Sequence, residues 1–139
     1  MKRLFVLTSL IVLFVGFSHV KSQAQCPTDA CVSKLGEGYT FLKIYKLETT
    51  ADHVEYSYVF SKGTNYMLVI CNQDGTSKDV EVTLYDSQRK QLASNYDKAT
   101  NKYFHAIVYN CQTTGIYYLK FTYKEQKPSC CVSVLAFKK

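Results

Sequence analysis

Six cysteines, at positions 26, 31, 71, 111, 130 and 131, are the residues of this chain with most chemistry open to them. An even cysteine count in a short exported chain reads as a set of disulfides, here three. Their placement is lopsided: Cys26 and Cys31 lie near one end, Cys130 and Cys131 near the other, and Cys71 and Cys111 in the interior. The expected partition joins Cys71 to Cys111, each at the end of a predicted strand. It leaves Cys26 and Cys31 to bond Cys130 and Cys131 in an unspecified order. The vicinal pair Cys130 and Cys131 would point to opposite faces of an extended strand, which makes a bond between them awkward. A four-thiolate zinc centre of Cys26, Cys31, Cys130 and Cys131 is the competing reading, but the spacings match poorly. No metal and no cofactor are expected.

The other reactive types make no catalytic constellation. His53 and His105 fall on two different predicted strands, and no G-x-S-x-G motif is present. A cysteine nucleophile would need a free, activated thiol, and the even count leaves none over. Acidic residues such as Asp74, Asp79, Asp86 and Asp97 sit on predicted turns, so nothing marks two of them as an acid and base pair. The expectation is a protein that is not an enzyme.

Tyrosine is the feature above background, with 12 in the chain and no tryptophan. Tyr combines large contact area, few torsions and a polar tip, which suits recognition surfaces, and it also fills half-buried strands. Tyr85, Tyr96, Tyr103 and Tyr118 are the candidate binding surface, because each lies in a loop or opposite an apolar face.

The elements that must position these residues begin after an address. Lys2 and Arg3 precede an apolar run from Leu4 to Phe17, followed by Ser22 and Ala24. This is a secretory signal peptide over 1–24 with cleavage after Ala24. Gln25 before Cys26 argues against a lipoprotein, and the run is too short for an anchor of roughly 20 residues. The expected location is secreted or periplasmic, in the bacterial envelope or medium, with no membrane span after cleavage. Removing the signal takes three basic and no acidic residue, so the net charge of +6 falls to +3. The remaining lysines are scattered, which excludes a nucleic-acid groove.

From Tyr39 onward apolar residues recur with period two and turn residues about every 8 to 12 positions, and no amphipathic helix is visible. Predicted strands are Tyr39 to Leu47, with Tyr39, Phe41, Tyr45 and Leu47 on one face and Lys43 interrupting it, then His53 to Ser61, Tyr66 to Cys71, Asp79 to Asp86, Lys102 to Asn110, Ile116 to Lys124 and Cys131 to Phe137. Gln91 to Asn95 is a short strand or loop. Tyr66 to Cys71 is near-continuously apolar, as a central strand would be, whereas Val80, Val82 and Leu84 alternate with Glu81, Thr83 and Tyr85. The fold class is all-β, an antiparallel two-sheet β-sandwich of seven or eight disulfide-linked strands, forming one domain over 25–139. Gln25 to Gly38 is expected to be an irregular arm pinned by its two cysteines.

Three segments carry a family likeness: Val80-Glu-Val-Thr-Leu-Tyr-Asp, Leu92-Ala-Ser-Asn and Thr114-Gly-Ile-Tyr-Tyr-Leu. Over roughly Tyr56 to Tyr123 the chain resembles the bacterial pre-peptidase C-terminal domains. That resemblance implies a jelly-roll-like sandwich and an accessory module without catalytic residues, some of whose members bind polymeric substrates. The chain departs from the family in standing alone and in its six cysteines. The acidic cluster of calcium-binding members has no counterpart, Asp74-Gly75 reading as a turn.

The functional expectation is a secreted, non-catalytic binding or structural module engaging a polysaccharide or protein at the cell surface. The alternative is an inhibitor of a secreted hydrolase, a protease or a lysozyme. An exposed aromatic row on a sheet face would favour the first. A rigid protruding loop with a charged tip would favour the second.

Overall fold

A computed structural model describes residue 26 and residues 28–47, 51–72, 76–124 and 130–139. The predicted signal segment and its cleavage point, the Asp74-Gly75 turn and the Lys127 to Ser129 break lie outside the described residues. No helix among the described residues is long and apolar enough to cross a membrane.

One short helix, α1 (Thr28–Val32), precedes ten strands: β1 (Thr40–Leu47), β2 (His53–Phe60), β3 (Asn65–Asn72), β4 (Val80–Tyr85), β5 (Gln91–Ser94), β6 (Tyr96–Asp97), β7 (Lys102–Tyr103), β8 (Ala106–Asn110), β9 (Gly115–Tyr123) and β10 (Cys131–Lys138). Eight of them form two four-stranded antiparallel sheets, ordered β1-β10-β3-β8 and β2-β9-β4-β5. The chain passes between the two sheets at every connection but that of β4 to β5, the winding of a jelly roll. The remaining two strands, β6 and β7, make a separate hairpin between β5 and β8.

The period-two pattern decides which face each strand buries. Leu68, Ile70 and Leu135 from one sheet meet Val80, Val82, Leu84, Leu119 and Phe121 from the other in a common core. Without tryptophan, stacked rings fill the widest part. Phe60 lies parallel to Tyr66 at 3.8 Å and to Tyr117 at 4.8 Å between centroids, so one Phe is sandwiched by tyrosines from both sheets. Tyr45, Tyr66, Tyr117 and Tyr123 are buried, which accounts for part of the tyrosine excess as core.

Four local expectations are revised. The β1 register shifts between Phe41 and Lys43, so Leu42 packs on the core while Phe41 stands 46% exposed; a bulge changes the parity of a strand, and Phe41 does not share a face with Tyr45 and Leu47. The expected strand Lys102 to Asn110 is divided in two, because Phe104 and His105 leave the β7 direction before β8 joins β3. The expected arm is neither irregular throughout nor peripheral. Its α1 helix covers the outer face of the first sheet, where Cys31 packs with Val69, Cys71, Val132 and Val134 in a second buried cluster. Both faces of β3 and β10 are apolar, so that outer face requires a cover; five helical residues do not hold together alone and are fixed here by packing and crosslinks.

The cysteine partition is the fourth correction. Cys31 is joined to Cys71 and Cys26 to Cys130, while Cys111 and Cys131 are buried thiols. There are two bridges among the described residues rather than three, and Cys71 to Cys111 is not one of them. Antiparallel pairing explains why. The Cys111 amide donates to the Thr64 carbonyl at the start of β3, while Cys71 lies seven residues further on, about 23 Å along a strand. Both cysteines do end strands, but at opposite ends of the sheet and on opposite faces: Cys71 is under α1 and Cys111 in the inter-sheet core. The expected opposite orientation of Cys130 and Cys131 holds, with Cys130 bonded to Cys26 and Cys131 turned into the core.

Candidate functional site

The structure separates the four candidate tyrosines into two pairs. Tyr85 and Tyr118 are cross-strand partners on β4 and β9, on the outer face of the second sheet. Tyr96 and Tyr103 are partners across the β6–β7 hairpin, with ring centroids 4.7 Å apart.

Tyr118 is not an open stacking platform. The guanidinium of Arg89 lies 3.6 Å from its ring centroid and pairs with Glu55 at 2.7 Å. That bond to Glu55 raises the Arg89 pKa above its ordinary value. Arg89 reaches this position from the β4–β5 turn, where it adopts a φ of 65°. The Asp86 carboxylate accepts the amides of Gln88 and Lys90, each at 2.9 Å, and fixes that turn.

The hairpin is held at its base, along its sides and at its tip. At the base Asn95 is fully buried. Its Nδ2 donates to the carbonyls of Val80 (3.0 Å) and Phe104 (3.1 Å), and its Oδ1 accepts the Val82 amide at 2.8 Å. Its backbone donates to Val82 and accepts from Phe104, so one residue ties both ends of the hairpin to β4. Along the sides, Lys124 lies 5.3 Å from the Tyr96 ring centroid while forming a 2.8 Å ion pair with Glu81. The Glu81 bond raises the Lys124 pKa, and partial burial raises that of Tyr103. At the tip, Asp97 accepts from the Thr100 hydroxyl (2.6 Å) and the Ala99 amide (2.9 Å), bonds that lower its pKa. Tyr96 donates its hydroxyl to Asn101 Oδ1 at 2.6 Å, and Asn101 takes the left-handed φ of 54° that Asn tolerates.

Beside the hairpin is an open cleft of about 610 Å³, lined by Ser77, Lys78, Lys102, Tyr103, Phe104 and Lys124 among others. Its size is that of a ligand or side-chain docking site. Phe104 is 53% exposed at its edge. Asn95 and Phe104 were not among the expected site residues. Asn95 is the last residue of the Leu92-Ala-Ser-Asn segment, where an amide closing an apolar run was the available signal.

The remaining reactive groups are dispersed. His53 begins β2 on an exposed position facing Thr122, and His105, also exposed, accepts the Ile70 amide through its carbonyl. No group of three or more His, Cys, Asp or Glu that could hold a metal occurs among the described residues. Burial pushes the Cys131 thiol up to about 12. Cys111 Sγ lies 3.2 Å from the Thr113 carbonyl, which also accepts the Tyr117 hydroxyl at 2.7 Å.

No protein-family model matches the chain. No curated protein matches it either. Among solved structures it is similar to Aeromonas hydrophila PliG, a periplasmic lysozyme inhibitor of g-type lysozyme, at 12% identity and a TM-score of 0.47, over 76% of this chain and 92% of that one.

Proposed function

We propose that this protein is an exported, non-catalytic inhibitor of a secreted hydrolase, binding through the β6–β7 hairpin and the adjoining cleft. One observation carries the reading: the hairpin is a preformed projection, clamped to β4 by fully buried Asn95 and internally braced by the Tyr96–Tyr103 pair and the Asp97 turn. A loop that is rigid before binding gives up little conformational entropy on association, which is what a tight protein contact requires. Lys98 at its tip and Lys102 on its side give it a basic edge. Among hydrolases, glycosidases suit such an edge, because their clefts carry a pair of carboxylates.

The accessory, non-catalytic role implied by the likeness to pre-peptidase C-terminal domains agrees with this reading. Polymer binding on the sheet face is less favoured, because Arg89 covers the Tyr118 ring that would have to stack on a sugar. Export belongs to the same proposal, since disulfides form and persist in oxidising compartments. The test is inhibition of purified lysozymes of the g and c types and of secreted serine proteases by the oxidised protein. Stoichiometric loss of one activity, abolished when residues 97–102 are replaced by a two-residue turn, is the expected result. No inhibition of any of them, with retention on a polysaccharide column that depends on Tyr85 and Tyr118, would replace this reading by the polymer-binding one.

A further inference from the structure

We infer that the cleft beside the hairpin recognises an acidic protein segment built around an apolar residue, with Phe104 as the anchor and Lys78 and Lys102 as the charged contacts. This rests on the inhibitor reading and names the chemistry of the partner surface.

Phe104 is a large apolar side chain more than half exposed at the lip of a cleft, in a position set by backbone bonds on both sides. Its amide donates to Asn95 at 2.7 Å and its carbonyl accepts from Asn95 Nδ2. An aromatic presented on fixed backbone and surrounded by polar groups has the anatomy of an interface anchor.

The charges around the anchor are not equivalent. Lys124 is neutralised by Glu81 at 2.8 Å and spends its approach on the Tyr96 ring. Asp97 has both carboxylate oxygens engaged inside the turn. Asp79 also lines the cleft, and its backbone, at a φ of 65°, accepts the Lys124 amide. Lys78 and Lys102 are exposed and form no ion pair within the described residues, although Lys102 faces Asp97 across the hairpin and acts on its carboxylate; with Asp79 the one carboxylate lining the cleft, the balance toward a ligand is positive. Charge complementarity then calls for carboxylates on either side of an apolar residue in the partner.

The probe is a synthetic dodecapeptide with glutamates flanking a central leucine pair, compared with its glutamine counterpart and with polygalacturonate. Amide shifts on the intact oxidised protein are expected at Lys78 and at Lys102 to Phe104, weakening with salt as exposed charge contacts do. The glutamine peptide should bind at least tenfold more weakly, as should K78E/K102E with the glutamate peptide, and F104A several-fold more weakly. All three residues are exposed, and unchanged melting temperatures confirm that the variants fold. Equal binding of the two peptides, shifts scattered over the surface, or polygalacturonate occupying the cleft as strongly as the glutamate peptide would overturn the inference. Hydrolase inhibition that survives K78E/K102E and F104A overturns it while leaving the inhibitor reading intact. Peptide binding at the cleft without inhibition of any hydrolase upholds it and removes that reading alone.

Discussion

Asn95 and Phe104 close the base of the β6–β7 hairpin by exchanging two hydrogen bonds, the Phe104 amide to the Asn95 carbonyl and the Asn95 side-chain amide to the Phe104 carbonyl. The same Asn side chain reaches Val80 and Val82 on the neighbouring strand. The projection through which the protein is proposed to act thus grows from a fully buried polar residue at the edge of the main core.

Replacing Asn95 by Ala leaves the Val82 amide and the Val80 and Phe104 carbonyls without their side-chain partner. Unsatisfied buried groups cost about 1–3 kcal/mol each before relaxation, so a net loss of about 3 kcal/mol is expected in urea denaturation. Hydrogen exchange should locate the damage, with amides of residues 95–104 losing protection more than those of β9. Uniform loss of protection would show that Asn95 supports the core alone and not the hairpin.

Tyr45 is 2% exposed and its hydroxyl has no hydrogen-bond partner among the described residues. Tyr45→Phe removes a polar atom that was desolvated without compensation, and the variant should be more stable by about 1 kcal/mol. A destabilised variant would mean that the hydroxyl is satisfied in solution by a group the structure does not place beside it.

Alkaline pH should destabilise the protein through the same residue and Cys131. Burial pushes both groups up to about 12, from ordinary values of 10.0 for Tyr45 and 9.0 for Cys131. The unfolded chain releases these protons first, so between about pH 9 and pH 12 the folded state binds more of them and stability falls as pH rises. Below about pH 8 both states are protonated and the contribution is complete. Urea midpoints from pH 8 to pH 11 should slope downward in the wild type and be flatter in Y45F/C131A; identical slopes would exclude these two groups as the cause.

Much of the sandwich was readable because period-two alternation is a local signal. Val80, Val82 and Leu84 announce an inward face, and the unbroken Tyr66 to Cys71 run announces a strand covered on both sides. What covers it was not readable, since α1 has only five residues and shows no periodicity of its own. The bulge at Leu42 was hidden for a similar reason: a single shifted residue leaves no mark in composition, and Phe41 was assigned to the wrong face. The site followed the same division. Tyr96 and Tyr103 could be named as candidates, but their pairing depends on a turn built from Asp97, Thr100 and Asn101, and the clamp on Asn95 depends on two β4 residues, 13 and 15 positions away. Cysteine pairing is the clearest case. A count fixes how many bonds are possible, whereas the partner of Cys71 is set by which face of β3 it occupies.

That face also ranks the two bridges. On chain entropy alone, the Cys26–Cys130 bridge, with a sequence separation of 104, contributes about 4.7 kcal/mol, and the Cys31–Cys71 bridge, with a separation of 40, about 4 kcal/mol. Packing reverses the order. Cys31 and Cys71 are each 0% exposed and hold α1 against Val69, Val132 and Val134, so losing that bond also releases the cover of the second apolar cluster. Cys26 is only partly buried, and its bond fastens the end of the arm. C31A/C71A is therefore expected to lose more stability than C26A/C130A, by about 1 kcal/mol or more, and to bind a hydrophobic dye where C26A/C130A does not. Peptide mapping without reduction should return the two bridges, and thiol titration should detect Cys111 and Cys131 only after unfolding. A larger loss in C26A/C130A would mean that loop length outweighs packing and that α1 stays on the sheet without its crosslink.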